Sequence, residues 1–100
     1  MLNPDIVKSQ VESAVIYGLT AAMKQEISIK DGKVEQSGFH DCDVVRMHES
    51  PEITVDYIRH PASIAPTGIG EPGVPPVAPA LCNALFAATG VRIRKLPIKL

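Results

Sequence analysis

The chain has 100 residues, 45% of them hydrophobic and 21% charged, and its 10 basic and 11 acidic residues leave a formal net charge of -1. That balance gives no electrostatic reason to expect a nucleic-acid or anionic-membrane partner, and four aromatic residues with no Trp argue against a base-stacking platform. No apolar run approaches the ~20 residues of a membrane span, and Met1-Leu2-Asn3-Pro4-Asp5 has neither region of a signal peptide, so the default expectation is a soluble cytoplasmic chain.

The length suits one domain over residues 1–100, able to bury roughly two thirds of its unfolded surface. The first element reads as a helix from about residue 4 to residue 23. Asn3 can cap it, Pro4 fits its first position, and Asp5 suits the positive end of its dipole. Val7, Val11, Val15, Leu19 and Ala22 recur at three- and four-residue spacing, which gives one apolar stripe.

A hairpin is expected next. Ile27 and Ile29 alternate with polar residues, Asp31-Gly32 is a two-residue turn of the kind that accepts positive φ, and Val34 opens a return strand running toward Phe39. Val44, Val45 and Met47 could form a short strand. Residues 52–59 alternate Ile53, Val55 and Tyr57 against Glu52, Thr54 and Asp56, the pattern of a half-buried strand that His60-Pro61 would end. Residues 61–76 are rich in Pro and Gly and read as a shaped loop. A second helix is expected from about Val77, with Val77, Leu81, Ala84, Leu85 and Ala88 on its apolar face and Gly90 as its stop. The tail from Val91 onward reads as an edge strand or an extended arm. The expected architecture is α+β, an antiparallel sheet with a β-hairpin and two helices packed on one face.

Gly68-Ile69-Gly70-Glu71-Pro72-Gly73 contains the bare dinucleotide fingerprint. Its context contradicts that reading: no apolar strand leads into it, and Arg92-Ile93-Arg94 stands where the ribose-binding acid should be. Another reading is available. Glycines let a backbone approach a ligand closely and prolines hold it rigid. Glu71 is then the single carboxylate of that loop, and in a dry pocket it could serve as a general base. On composition alone, a loop acid facing solvent or capping the following helix is the favoured reading. His40, Asp41, Cys42, His48 and His60 are metal-ligand types, but their spacing fits no common zinc motif. Cys42 and Cys82 lie outside any CxxC spacing, and a disulfide between them has little support. No Gly-x-Ser-x-Gly occurs, so a serine hydrolase is not indicated.

Several segments taken in order are more specific. They are Asn3-Pro4-Asp5-Ile6-Val7, Gln10-Val11-Glu12, Ile16-Tyr17-Gly18-Leu19, Ile29-Lys30-Asp31-Gly32-Lys33-Val34, Phe39-His40-Asp41 and Gly68-Ile69-Gly70-Glu71-Pro72-Gly73-Val74-Pro75-Pro76. Together they resemble the C-terminal segment of the molybdopterin-binding large (beta) subunit of the xanthine dehydrogenase and aldehyde oxidoreductase family, in its isoquinoline 1-oxidoreductase branch.

That resemblance implies a molybdenum hydroxylase, an oxidoreductase that hydroxylates an N-heterocycle or aldehyde with water as the oxygen source. It implies that Glu71 is the catalytic base, that Gln10 contacts the molybdopterin cofactor, and that Gly70 lies against the cofactor site. Small residues follow the Gln-x-Glu triad in the family, usually glycines, and here they are Ser13 and Ala14. The family's subunit is much longer than 100 residues. Catalysis is therefore expected only with the remainder of the molybdopterin-binding subunit and an iron-sulfur subunit, and no cofactor is expected in the isolated chain. The alternative is a non-catalytic, stand-alone structural or homo-oligomeric module. A small-ligand binding module built on the Gly-Pro loop is a third possibility.

Overall fold

In a computed structural model, residues 3–58, 60–61 and 63–99 are described. The element order is α1 (Pro4–Met23), β1 (Ile29–Lys30), β2 (Lys33–Val34) and α2 (Val77–Thr89), with one 3-10 turn at Met47–Glu49. The expected α+β class, with one hairpin and two helices, is what the structure shows.

The long helix starts where its first residues dictate. The Asn3 side-chain oxygen accepts from the Asp5 and Ile6 backbone N–H groups at 3.0 and 3.1 Å, satisfying two donors that the first turn leaves without partners. The hairpin turns on Asp31 and Gly32, with φ of 51° and 74°, the left-handed pair that a two-residue turn of matching twist requires. Its register pairs Ile29 with Val34 and Lys30 with Lys33. Below the ladder, Ser28 and Gln36 exchange two hydrogen bonds at 2.9 Å. Gly90 ends α2 in the left-handed conformation at φ 75°, as its position foretold.

Several expectations need correction. The return strand stops at Val34, well before Phe39, where the Asp41 carboxylate accepts from the Ser37 and Gly38 N–H groups and turns the chain. Val44, Val45 and Met47 are not in a strand. Residues 52–58 alternate half-buried Ile53 and Val55 with exposed neighbours, yet belong to no sheet; alternation reports a one-sided environment, whereas a strand also needs a partner edge. Arg59, Ala62 and Leu100, at the ends or inside of expected segments, lie outside the described residues, as do Met1 and Leu2. Across 91–99 no strand forms, so the tail is an arm. The helices pack on each other and not on a face of the hairpin. The face of α2 is also shifted: Ala78, Leu81, Cys82, Leu85 and Phe86 are half-buried while Ala84 and Ala88 are exposed.

Helix α1 is the spine on which the other segments rest. Tyr57 donates its hydroxyl to the Pro4 carbonyl at 2.7 Å, near its start. The 70–77 loop lies along its middle. At its C-terminal end, the Val45 N–H donates to Thr20 Oγ1 at 3.1 Å and the Ile98 N–H to the Ala22 carbonyl at 2.8 Å. The core follows that spine: Ala14, Thr20 and Ala22 are buried, together with Ile98 from the tail. Among the described residues no large side chain is fully buried, while Phe39 is 98% and Met47 94% exposed. The accessible surface is 8212 Å², against roughly 5,500 Å² for a compact protein of this mass. The radius of gyration is 16.8 Å, against about 13 Å for a compact 100-residue domain.

Candidate functional site

One face of α1 and the Gly-Pro loop enclose an open cleft of about 520 Å³. Gln10, Ser13, Ala14 and Tyr17 line it from the helix; their spacing places all four on one face. Gly70, Glu71, Val74 and Pro75 line it from the loop. The three residues implicated by sequence therefore meet in one place, although Gln10 and Gly70 are separated by 60 positions. The direct link is a hydrogen bond: Gln10 Nε2 donates to the Gly70 carbonyl at 2.9 Å. Glu71 is exposed on the cleft wall, so the dry pocket that a base would occupy is not closed by this chain's own atoms.

Sterics seat the loop. Gly73 lies so close to α1 that a Cβ there would be 2.7 Å from the Ala14 methyl. One helical turn further on, a Cβ at Gly18 would be 2.6 Å from Val77 Cβ, where α2 begins. Both glycines serve close approach, since neither has positive φ. Within the loop, the Val74 N–H donates to the Glu71 carbonyl at 3.0 Å, closing residues 71–74 into a turn. Gly70 is different. A Cβ there would meet nothing within 4 Å, and its φ is not positive. Nothing inside the described chain requires glycine at 70, and the empty space beside it belongs to the cleft.

A second, smaller cleft of about 300 Å³ shares Ser13 and Tyr17 with the first and is completed by residues such as Thr20, Val44 and Val45. Beside it the 43–49 segment is fixed by charge. Lys24 Nζ meets Glu49 at 2.7 Å and Asp43 at 2.9 Å, and Arg46 reaches Asp43 at 3.2 Å. Hydrogen bonds from Lys24 hold the Asp43 and Glu49 carboxyls below the usual carboxylate range, and those same bonds raise the Lys24 pKa. Cys42 and Cys82 are free, half-buried thiols. Among the described residues, no three His, Cys, Asp or Glu side chains are grouped to hold a metal ion, and no helix is long and apolar enough to cross a membrane.

Sequence reasoning singled out Gln10, Gly70 and Glu71 but missed Tyr17 as a cleft residue. The three- and four-residue steps from Gln10 to Ser13 or Ala14 and on to Tyr17 were the available signal. The Ala14–Gly73 contact left none, because it joins residues distant in the chain.

A site of this kind, a carboxamide bonded to a loop backbone beside one exposed carboxylate, is shared ground between enzymes and binding modules. Comparison with known proteins narrows the choice. The chain is 35% identical over 97 residues to the isoquinoline 1-oxidoreductase subunit beta of Brevundimonas diminuta, matching 97% of this chain and 12% of that protein. It is 32% identical to the membrane-bound aldehyde dehydrogenase [pyrroloquinoline-quinone] of Gluconacetobacter polyoxogenes, over 99% of this chain and 12% of that one. It is 31% identical to the aldehyde oxidoreductase molybdenum-binding subunit PaoC of Escherichia coli (strain K12), over 100% of this chain and 14% of that subunit. No family profile matches the chain. Over nearly its whole length, then, the chain resembles a short segment of subunits from the xanthine dehydrogenase and aldehyde oxidoreductase family, including its isoquinoline oxidoreductase type. It spans about an eighth of the length of these relatives.

Proposed function

We propose that this chain supplies one wall of the active site of a molybdenum-dependent hydroxylase acting on an N-heterocycle or aldehyde, and that it works only with the remainder of such a subunit and an iron-sulfur electron-transfer partner. The observation that carries the reading is the Gln10–Gly70 hydrogen bond at 2.9 Å. It brings the carboxamide, the side-chain-free backbone at Gly70 and the Glu71 carboxylate onto one open cleft.

The donor set suits a molybdopterin cofactor better than a bare ion. The cleft's polar side chains are one carboxylate, one carboxamide and the Ser13 and Tyr17 hydroxyls, too few strong ligands to hold a metal that is not already ligated. Gln10 would hold the group through its amide oxygen or its second Nε2 N–H, because one N–H is engaged by the loop. Gly70 would let the group approach the backbone closely. When bound, the cofactor supplies the two-electron oxidation.

The chain's own part is acid-base chemistry. Glu71 takes a proton from the water-derived oxygen nucleophile onto its carboxylate as that oxygen attacks the electron-poor carbon, and later releases it to solvent. In the assembled enzyme the missing part of the subunit would cover the cleft and exclude water around Glu71. The uncovered surface of the chain supports that dependence: 8212 Å² is accessible, well above the compact expectation of roughly 5,500 Å². By itself the chain would catalyse nothing and would tend to associate with copies of itself through exposed apolar groups such as Phe39 and Met47.

The test is Glu71→Gln in the assembled enzyme, compared with the parent at equal molybdenum content. Glutamine keeps the shape but cannot accept the proton. Turnover should fall by about 100- to 10,000-fold, the usual worth of a general base, with the fold unchanged. Equal rates would remove Glu71 from the chemistry.

A further inference from the structure

We propose that Ala14 and Gly73 form a positioning pair whose close contact sets the distance between Gln10 and the Glu71 loop. This deepens the reading above and rests on it for its catalytic consequence, though its structural content stands alone.

Gly73 is in ordinary backbone territory, so its missing side chain serves space and not conformation. A Cβ there would stand 2.7 Å from the Ala14 methyl. That methyl is held on the rigid α1 backbone and is only 4% exposed, so it cannot rotate away. An added methyl at 73 must therefore push the loop. Ordinary contact begins near 3.4 Å, so the retreat is at least about 0.7 Å.

The turn bond from the Val74 N–H to the Glu71 carbonyl, at 3.0 Å, makes residues 71–74 one unit, and Gly70 is attached directly to it. A retreat of that size, directed along the 2.9 Å Gln10–Gly70 bond, would stretch it to about 3.6 Å, beyond hydrogen-bond range. The two contacts are one turn apart on the same helix face, Gln10 and Ala14 being i and i+4. Loop seating and the Gln10–Gly70 cross-link are thus mechanically coupled. Val74 and Pro75, the next residues of the loop, line the same cleft and would move with it.

Ala14 is the tuning member. Removing its methyl as Ala14→Gly opens room for a methyl at 73, so the double variant should regain the parent spacing. A contact that merely filled space would have no such reciprocity.

The experiment uses the full 100-residue chain in four forms: parent, Gly73→Ala, Ala14→Gly and the double variant. Two quantities are read, the helical circular-dichroism signal and the side-chain carboxamide resonances of Gln10, whose hydrogen-bonded proton should exchange slowly in the parent. Gly73→Ala should lose that protection, and the double variant should recover it. In the assembled enzyme, Gly73→Ala should lower kcat about 100-fold, the scale of a 1 Å misplacement, at nearly unchanged molybdenum content, and Ala14→Gly should restore it. Parent-like Gln10 protection in Gly73→Ala overturns the proposal. So does a double variant that fails to recover, whether or not Gly73→Ala folds. If Gln10 protection follows the predicted pattern but Glu71→Gln turns over at the parent rate, the pair stands and the catalytic role of Glu71 falls.

Discussion

Two stretches of α1 hold their neighbouring segments by opposite means. From Gln10 to Gly18, the Gly-Pro loop and the start of α2 are seated by missing methyls at Gly73 and Gly18, with one neutral hydrogen bond from Gln10. From Thr20 to the capping Lys24, segment 43–49 is held by the Thr20 hydroxyl and by Lys24 between Asp43 and Glu49. Steric seating is indifferent to pH and salt but intolerant of a single added carbon. Ionic seating tolerates small changes of shape and answers to protonation. The candidate site lies on the steric side, which suits a loop whose geometry must not drift with conditions.

The sharpest way to break this contrast is at Gly18. Its Cβ would meet three Val77 side-chain atoms at 2.6, 2.7 and 3.0 Å, all part of a branched side chain near the helix crossing. Gly18→Ala should destabilise the chain by about 1–3 kcal/mol through overpacking, read as a lower urea midpoint of the helical signal. A midpoint equal to the parent's would show that the α1–α2 crossing is not sterically set.

A milder perturbation addresses the other side. Asp43 and Glu49 have pKa values lowered from their ordinary 3.8 and 4.5. Their stabilising share is therefore present above those values and lost as pH falls through the depressed ones. Lys24 is raised from 10.5, so its share is present below 10.5 and lost as pH rises through the raised value. Exchange protection of the Val45 amide, corrected for intrinsic rate, should hold from about pH 5 to about pH 10 and fade outside that window. The effect should be small, because these groups face solvent and are screened. The Gln10 carboxamide should stay protected at acid pH. Parallel loss at both places would erase the distinction between the two stretches.

Much of this was legible in the sequence, and for identifiable reasons. The α1 start follows from Asn3 and Pro4, the hairpin from Asp31-Gly32, and the end of α2 from Gly90, because caps and turns are local. The alternation at 52–58 was equally visible but did not foretell a strand; Tyr57 hydrogen-bonds to Pro4 instead of joining a ladder. The cleft was half legible. Gln10, Gly70 and Glu71 stood out as residue types in a motif, but the loop that carries two of them lies on α1 through the close approaches of Gly73 to Ala14 and of Val77 to Gly18. Such fits between distant residues have no signature in spacing or hydropathy.

Gly70 tests most directly the proposal that this cleft is completed from outside the chain. Its Cβ position is empty and its φ is ordinary, so Gly70→Ala should leave the urea midpoint of the isolated chain within about 0.5 kcal/mol of the parent. In the assembled enzyme the same methyl should intrude on whatever lies against the backbone. Bound molybdenum per subunit and turnover should both drop, at unchanged assembly. A destabilised chain, or an assembled enzyme with full metal content and parent turnover, would contradict the claim.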